Sequence, residues 1–135
     1  MTAQSYRLLW PAALAVIGVV WLASLALPAL RIAGAPEMSG FDVLRQGWQG
    51  ARAGVFSWYA NPLWLFALLA SLFGYFRTAG VLSGFAIVLA LTSFAAQGLA
   101  ANSGTAVPEL SLAFGFYLWL AAQFGLFVWS WGRCI

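Results

Sequence analysis

Three side-chain amides are the clearest candidates for specific chemistry in this sequence: Asn61, Gln97 and Gln123. Each lies in a long apolar stretch, where an amide either hydrogen-bonds neighbouring helices together or lines a path for a polar solute. A catalytic nucleophile needs a base beside it, and the serines of these stretches have none because the sequence contains neither histidine nor lysine. The reactive groups therefore predict a packing or binding role and no enzyme activity.

Metal and cofactor chemistry is limited in the same way. A single cysteine, Cys134, and the lack of histidine exclude disulfides and Cys/His metal sites within one chain, together with imidazole ligation of haem or chlorophyll. The acids Glu37, Asp42 and Glu109 all fall outside the apolar stretches. We therefore expect no metal and no resident cofactor.

The composition is that of a membrane protein. Of the 135 residues, 64% are hydrophobic and 7% are charged, and the mean hydropathy is +0.91. The net charge of +3 comes from six scattered arginines against three acids, which is unlike the clustered basic surface of a nucleic-acid-binding protein. We expect contacts with membrane lipids and none with nucleic acid.

Four apolar runs are long enough for a helix to cross about 30 Å of hydrocarbon. They cover residues 8–30, 55–76, 79–101 and 110–131. The first run is longer than the apolar core of a signal peptide, so we interpret it as a retained span. The sequence thus predicts an all-α integral membrane protein, in which residues 1–135 form one domain built as a four-helix bundle.

The arginines give a preferred orientation. Arg7, Arg77 and Arg133 occupy the short segments on one side of the predicted bundle, without any acid. The other side also carries three arginines, but on longer segments that hold all three acids. Because the two sides have equal numbers of arginines, the positive-inside rule does not choose between them by number. The density of positive charge then decides, and we predict both termini in the cytoplasm.

The segment between the first two runs has the pattern of an interfacial helix. Ser39 and Asp42 fit the S-x-x-D form of a capping box, which predicts a short amphipathic helix over residues 40–53. Its predicted apolar stripe is Phe41, Leu44, Trp48, Ala51 and Val55, and its polar side is Asp42, Arg45, Gln46, Gln49 and Arg52. Such a helix is either a lid or docking surface, with Arg45, Trp48 and Arg52 as contacts, or a plain connector.

Small residues recur at helical spacing on the last two predicted spans. The tracks are Ser83, Ala86, Ala90, Ser93 and Gln97 on the third span, and Ser111, Gly115, Leu118, Ala122, Gly125 and Gly132 on the fourth. Small side chains let membrane helices approach closely, so both tracks are expected to face protein. Gly80 and Gly84 also form a GxxxG pair, which indicates either tight packing within the chain or dimerisation.

Asn61 and Pro62 mark a change of direction in the second run. Asparagine is a strong N-cap and proline suits the first helical turn, so the pair reads as a helix start, with a kinked continuous helix from about Val55 as the alternative. A tight turn near Arg77 makes the second and third spans antiparallel, which places Asn61 and Gln97 at one depth and within reach of a hydrogen bond. Gln123 either hydrogen-bonds within the bundle or contacts a ligand or another chain.

The central part of the chain resembles a known group of sequences. Gly47-Trp48 followed by Phe56-Ser-Trp-Tyr-Ala-Asn-Pro-Leu-Trp-Leu is similar to uncharacterised small four-span bacterial membrane proteins with a GW element and then a W-x-A-N-P-L element. The resemblance covers about the middle of the chain. It implies a location in the bacterial inner membrane and brings no activity, cofactor or site residue.

Two functions fit these observations. The first is a non-catalytic accessory or structural subunit that packs against other membrane proteins or against a hydrophobic ligand such as a lipid, quinone or pigment. The second is a minimal channel or transporter formed by a homo-oligomer, with Asn61, Gln97 and Gln123 lining the path. A continuous polar track through the assembly is expected only for the second.

Overall fold

The structure is a computed structural model that describes the backbone of residues 3–102 and 110–135, and the side chains of 9–52, 54–95 and 111–135. Its five α-helices are α1 (Ala3–Ala26), α2 (Gly40–Gln46), α3 (Ala60–Leu72), α4 (Phe76–Asn102) and α5 (Phe114–Gly132). Two 3-10 helices cover Gly47–Ala53 and Ser57–Tyr59, and three strands are β1 (Pro28–Ile32), β2 (Met38–Ser39) and β3 (Leu110–Leu112). Helix is therefore the main secondary structure of the described chain.

The four long helices, α1, α3, α4 and α5, pack around one core in an order that differs from their order in the chain. α1 packs against α5, α5 against α4, and α4 against α3. Within the described residues, two helical stretches are long and apolar enough to cross a membrane: Leu9–Ala26, with mean hydropathy 2.0, and Phe76–Ala95, with mean hydropathy 1.8. The core between the helices contains Leu14, Trp21, Ala60, Trp64, Ala67, Ala79, Ala86, Ala90, Ala122 and Leu126.

A three-stranded antiparallel sheet closes one end of the bundle, which we call the sheet end. The strand order is β2-β1-β3, with Leu30 opposite both Met38 and Leu112. The prediction of an all-α fold is wrong at this point. Residues 28–32 and 110–112 are apolar enough to look like continuations of helices, and only their pairing with each other shows that they are strands.

Two of the predicted spans are too long because the chain turns earlier. The helix predicted over 8–30 ends at Ala26, since Pro28 cannot donate a backbone hydrogen bond and disfavours helix in the residue before it. The span predicted over 55–76 begins with the short 3-10 helix over residues 57–59, and its α-helix α3 has 13 residues, which cover about 20 Å at 1.5 Å per residue. Gly54, which ends the preceding 3-10 helix, and Gly74, which follows α3, have left-handed φ angles of 79° and 83° and make the turns there.

The last two predicted spans agree better with the helices. α4 includes all of 79–101 and begins three residues earlier, so Arg77 lies inside a helix and the tight turn is formed at Gly74. Tyr75 closes that turn by donating its backbone N–H to the Ala70 carbonyl at 2.8 Å. The span predicted over 110–131 starts late, at Phe114, because residues 110–112 pair with β1.

The predicted capping box is confirmed. The Asp42 backbone N–H donates to the Ser39 hydroxyl oxygen at 3.2 Å, and the Ser39 backbone N–H donates to the Asp42 carboxylate at 3.1 Å. The α-helix that starts there ends at Gln46, however, and continues as a 3-10 helix to Ala53, so the single helix predicted over 40–53 is wrong in its second half. We call residues 40–54 the roof segment.

The predicted apolar stripe of the roof segment is divided between two environments. Phe41 and Trp48 are 53% and 47% exposed on the outside, whereas Leu44 and Val55 line a cavity inside. Gly47 and Gly50 permit this arrangement: a Cβ on Gly47 would lie 3.0 Å from the Trp58 ring, and one on Gly50 would lie 3.2 Å from the Val55 carbonyl oxygen. The two glycines therefore bring this segment close to the chain that follows it.

Acidification should loosen the start of the roof segment. Hydrogen bonds from the Ser39 hydroxyl and then its backbone N–H, with help from Arg45, hold the pKa of Asp42 below its ordinary value. The stabilisation is therefore complete above about pH 4, the usual range for this carboxyl when unfolded, and is lost as the pH falls through the lower pKa of the folded state. The unfolding temperatures of wild type and Asp42→Asn, measured in detergent, should differ at pH 6 and become equal at pH 2.5. A difference in unfolding temperature that stays constant between these pH values would contradict the stabilising role of the Asp42 carboxylate.

Gly115 is expected to tolerate no side chain. A Cβ there would lie 2.7 Å from the Pro28 carbonyl oxygen and 2.8 Å from that of Leu27, and neither backbone atom can move away easily. Gly115→Ala should cost about 1 to 3 kcal/mol, as overpacking usually does. Gly18→Ala is the matched control, because a Cβ at that helical position meets nothing within 4 Å and should be neutral or stabilising. Equal unfolding temperatures for the two variants would contradict the close approach.

Candidate functional site

A partly open cavity of about 260 Å³ lies at the sheet end of the bundle. The roof segment covers it with Val43, Leu44, Gly47 and Gly50. Its other sides come from the end of α1, from β1 and β3, and from the adjoining parts of α3, α4 and α5. The cavity is therefore formed where the roof segment, the sheet and the four long helices meet.

The lining of the cavity is largely apolar and partly aromatic. The rings of Trp58, Phe116 and Trp119 contribute to its wall. Its polar side chains are uncharged: Ser24, Ser57, Asn61 and Ser93, besides the two indoles. Among the described residues that line it, none is ionisable at neutral pH, so the site suits a neutral, mainly hydrocarbon or aromatic group.

A chain of hydrogen bonds, which we call the amide relay, holds this wall together. The Trp58 indole N–H donates to the Leu44 carbonyl at 2.7 Å, and the Asn61 Nδ2 donates to the Trp58 carbonyl at 3.1 Å. The Trp119 indole N–H then donates to Asn61 Oδ1 at 2.8 Å. Asn61 is 8% exposed, and the three partly buried bonds connect α2, α3 and α5.

Asn61 and Pro62 do lie at a helix start, but their roles differ from the predicted ones. α3 begins at Ala60 and its N-cap is Tyr59, so Asn61 is not the cap and uses its side chain in the amide relay instead. Pro62 occupies the first turn, where the missing backbone N–H leaves no helical bond unmade. The predicted contact of Asn61 with Gln97 lies outside the described residues, because it involves the Gln97 side chain.

The two elements on which the sequence resemblance rests meet at this site. Gly47 packs against the ring of Trp58, which opens the W-x-A-N-P-L element, and the Trp58 indole bonds to the roof segment three residues before Gly47. Asn61 belongs to the same element and completes the amide relay. The GW and W-x-A-N-P-L elements thus form one packed unit beside the cavity.

Gln123 has a different environment from Asn61. Its side chain is completely buried, and neither Oε1 nor Nε2 has a hydrogen-bond partner among the described residues. The predicted hydrogen bond within the bundle is therefore not formed there, and the burial also keeps this amide away from the surface that a second chain would contact. The neighbouring Ala122 carbonyl is satisfied by the Trp64 indole N–H at 3.1 Å.

The predicted small-residue tracks pack within the chain over most of their length, but the prediction is wrong at Ser111 and Gly132, which are exposed at the two ends of the fourth-span track. A Cβ on Gly80 would lie 2.9 Å from the Trp131 Nε1, one on Gly84 would lie 3.3 Å from the Phe127 ring, and one on Gly125 would lie 3.6 Å from Ile17. Ser83 is buried and donates to the Ala79 carbonyl at 2.7 Å, while Ser93 lines the cavity. Arg45, Trp48 and Arg52 remain exposed on the roof segment.

Sequence reasoning missed most of the residues that form the cavity. Trp58, Trp119, Val43 and Phe116 all line the cavity, and none of them is among the residues predicted for a site. One signal was available: a buried indole N–H needs an acceptor, and Asn61 is one of few side chains in the apolar stretches that can provide it. Pairing Asn61 with an indole was therefore a reasonable alternative to pairing it with Gln97.

Comparison with protein-family models, with curated proteins and with solved structures finds no match to this chain. Within the described residues there is also no group of three or more His, Cys, Asp or Glu side chains that could hold a metal ion. The chemistry of the site must therefore be argued from the cavity itself.

The Asn61–Trp119 bond should contribute measurably to stability. Asn61→Leu removes the acceptor of the Trp119 N–H and the side-chain donor to the Trp58 carbonyl, whereas Trp119→Phe removes the indole donor together with part of the ring. A double-mutant cycle in detergent should give a coupling of about 0.6 to 2 kcal/mol, the range for side-chain hydrogen bonds in membrane proteins. A coupling of zero would show that the two side chains do not interact. Trp129→Phe is the control, since Trp129 lies near the other end of α5 and should not couple with Asn61.

Proposed function

We propose that this protein is a non-catalytic, four-span protein of the bacterial inner membrane, with both termini in the cytoplasm, that binds a hydrophobic guest and serves other membrane proteins as an accessory subunit. The observation that carries the proposal is the 260 Å³ cavity with an uncharged, mainly apolar lining. With this orientation the sheet end faces the outer side of the membrane. The guest would then lie at the level of the outer lipid headgroups and upper chains.

The surface of the helices supports the membrane assignment. Large apolar side chains are exposed on every long helix: Val19 is 64% exposed on α1, Phe66 62% on α3, Phe85 61% on α4 and Val128 65% on α5. In water such a surface would drive aggregation, whereas in a bilayer it contacts lipid tails. Among the described residues, two helices are long and apolar enough to cross a membrane, and α3 needs the turns around it to reach both interfaces.

The size and chemistry of the cavity favour a small or partly inserted guest. Ligand pockets usually measure about 300 to 1,000 Å³, so this cavity of about 260 Å³ lies just below that range. It would take one hydrocarbon chain, a quinone ring or part of a pigment, and the few hydroxyls and the Asn61 amide at its wall give such a guest one or two polar contacts. An ionised group would lose its hydration there without a charged partner among the described lining residues.

The arrangement of the amides weighs against an oligomeric channel. A path between several copies needs polar side chains on the outer surface of each bundle, but Gln123 is completely buried and Asn61 is engaged in the amide relay. The GxxxG glycines are covered by α5 aromatics of the same chain. These features support a chain that uses its polar groups internally and binds its guest by itself.

Filling the cavity should remove the guest. Val43 lies in the roof segment and lines the cavity, so Val43→Phe places a larger side chain where the guest would lie. Because overpacking typically costs about 1 to 3 kcal/mol, guest occupancy should fall about fivefold or more. Protein purified in mild detergent is extracted with organic solvent, and the extract is quantified per mole of protein by mass spectrometry. Lipids, quinones and pigments are distinguished by mass.

The matched control is Val88→Phe, the same substitution at a residue of α4 that is 62% exposed. It should leave occupancy unchanged, as long as both variants unfold cooperatively. A wild-type protein that retains no molecule above the detergent background would contradict guest binding. The same purification, resolved by size, should also show co-purifying membrane proteins, and a lone chain would contradict the accessory role.

A further inference from the structure

The helices leave one weak junction beside the cavity. α1 and α3 are not packed along each other as the other neighbouring helices are, and the clearest contact between them is the stack of Trp21 on Trp64. The ring centroids are 5.3 Å apart and the planes are inclined by 14°. We call this junction the α1–α3 seam. It lies one helical turn from Ser24 and Asn61, which line the cavity.

The roof segment crosses the sheet end of this seam. It begins against the last turn of α1, where a side chain on Gly40 would meet the Ser24 carbonyl, and it ends beside the 3-10 helix that leads into α3. Its exposed residues include Arg45, Trp48 and Arg52. Two cations and an aromatic ring therefore stand outside the cavity, on the roof segment.

We propose that the guest is an anionic membrane lipid, with one hydrocarbon chain in the cavity and its headgroup held outside by Arg45 and Arg52. The inference rests on the proposed function and names the ligand for the same cavity. The charged headgroup of the lipid then lies beside the two arginines, and its hydrocarbon chain lies in the apolar cavity.

Charge complementarity selects this occupant. The described lining of the cavity has no ionisable group, so it accepts the chain and rejects the headgroup. The nearest acid on the roof segment, Asp42, already accepts hydrogen bonds from the Ser39 hydroxyl and backbone, at 2.8 Å and 3.1 Å. The guanidinium groups of Arg45 and Arg52 are exposed, and guanidinium binds phosphate oxygens in a two-pronged geometry. A lipid phosphate provides that partner.

Photo-crosslinking tests where the chain lies. The full-length protein is placed in nanodiscs that contain phosphatidylglycerol with a diazirine in the middle of one chain, and the labelled residues are mapped by mass spectrometry. We expect labels on cavity residues such as Leu44 and Phe116, besides those on the exposed faces of the helices. Labels confined to exposed positions such as Phe85 and Val88 would overturn the proposal.

The headgroup is tested with a second probe and matched variants. Phosphatidylcholine with the same chains should label the cavity residues roughly tenfold less, and the double variant Arg45→Gln and Arg52→Gln should reduce labelling by phosphatidylglycerol to that level. Arg133→Gln, a charge loss at the other end of the bundle, should change nothing. Equal labelling by the two lipids, or no effect of the double variant, would overturn the headgroup assignment.

Failure of this inference and failure of the proposed function give different results. If the extracted wild-type protein retains a guest that Val43→Phe removes, but the lipid probes never label the cavity, the guest is another hydrophobic molecule and only the inference is wrong. If no guest is retained and no cavity residue is labelled, both are wrong.

Discussion

The amide of Asn61 is the contact on which the sheet end of this protein depends. It accepts from the Trp119 indole and donates to the Trp58 carbonyl, and Trp58 in turn donates to the Leu44 carbonyl of the roof segment. These groups are partly buried, and burial makes a hydrogen bond electrostatically stronger and an unpaired partner more costly. One side chain thereby fixes three separate elements around a space that no side chain fills.

Glycines make this arrangement sterically possible. Gly40 and Gly115 bring the roof segment and α5 against the backbone at the end of α1, while Gly47 admits the Trp58 ring beneath the roof segment. The backbone entropy that each glycine costs on folding is offset by a close approach that no larger residue permits. The roof segment is consequently short and partly 3-10, and it is held more by its neighbours than by its own helical hydrogen bonds.

Part of this architecture could be predicted from the sequence alone. Hydropathy located α4 and α5 within a few residues, and the Ser39 and Asp42 spacing located the start of α2, because both signals are local. The strands at 28–32 and 110–112 were missed because their pairing is set by contacts distant in sequence. The cavity was missed for the same reason: its lining comes from almost every element, and no local pattern brings Val43, Asn61 and Phe116 together.

The central claim is that hydrocarbon occupies the cavity under the roof segment. NMR in nanodiscs made from protonated lipid, with the protein deuterated except for the methyl groups of Val43, measures this directly. We expect cross-relaxation from lipid-chain methylene protons to the Val43 methyls, and its loss when the lipid chains are deuterated. Cross-relaxation from water alone would show a hydrated cavity and would contradict the account.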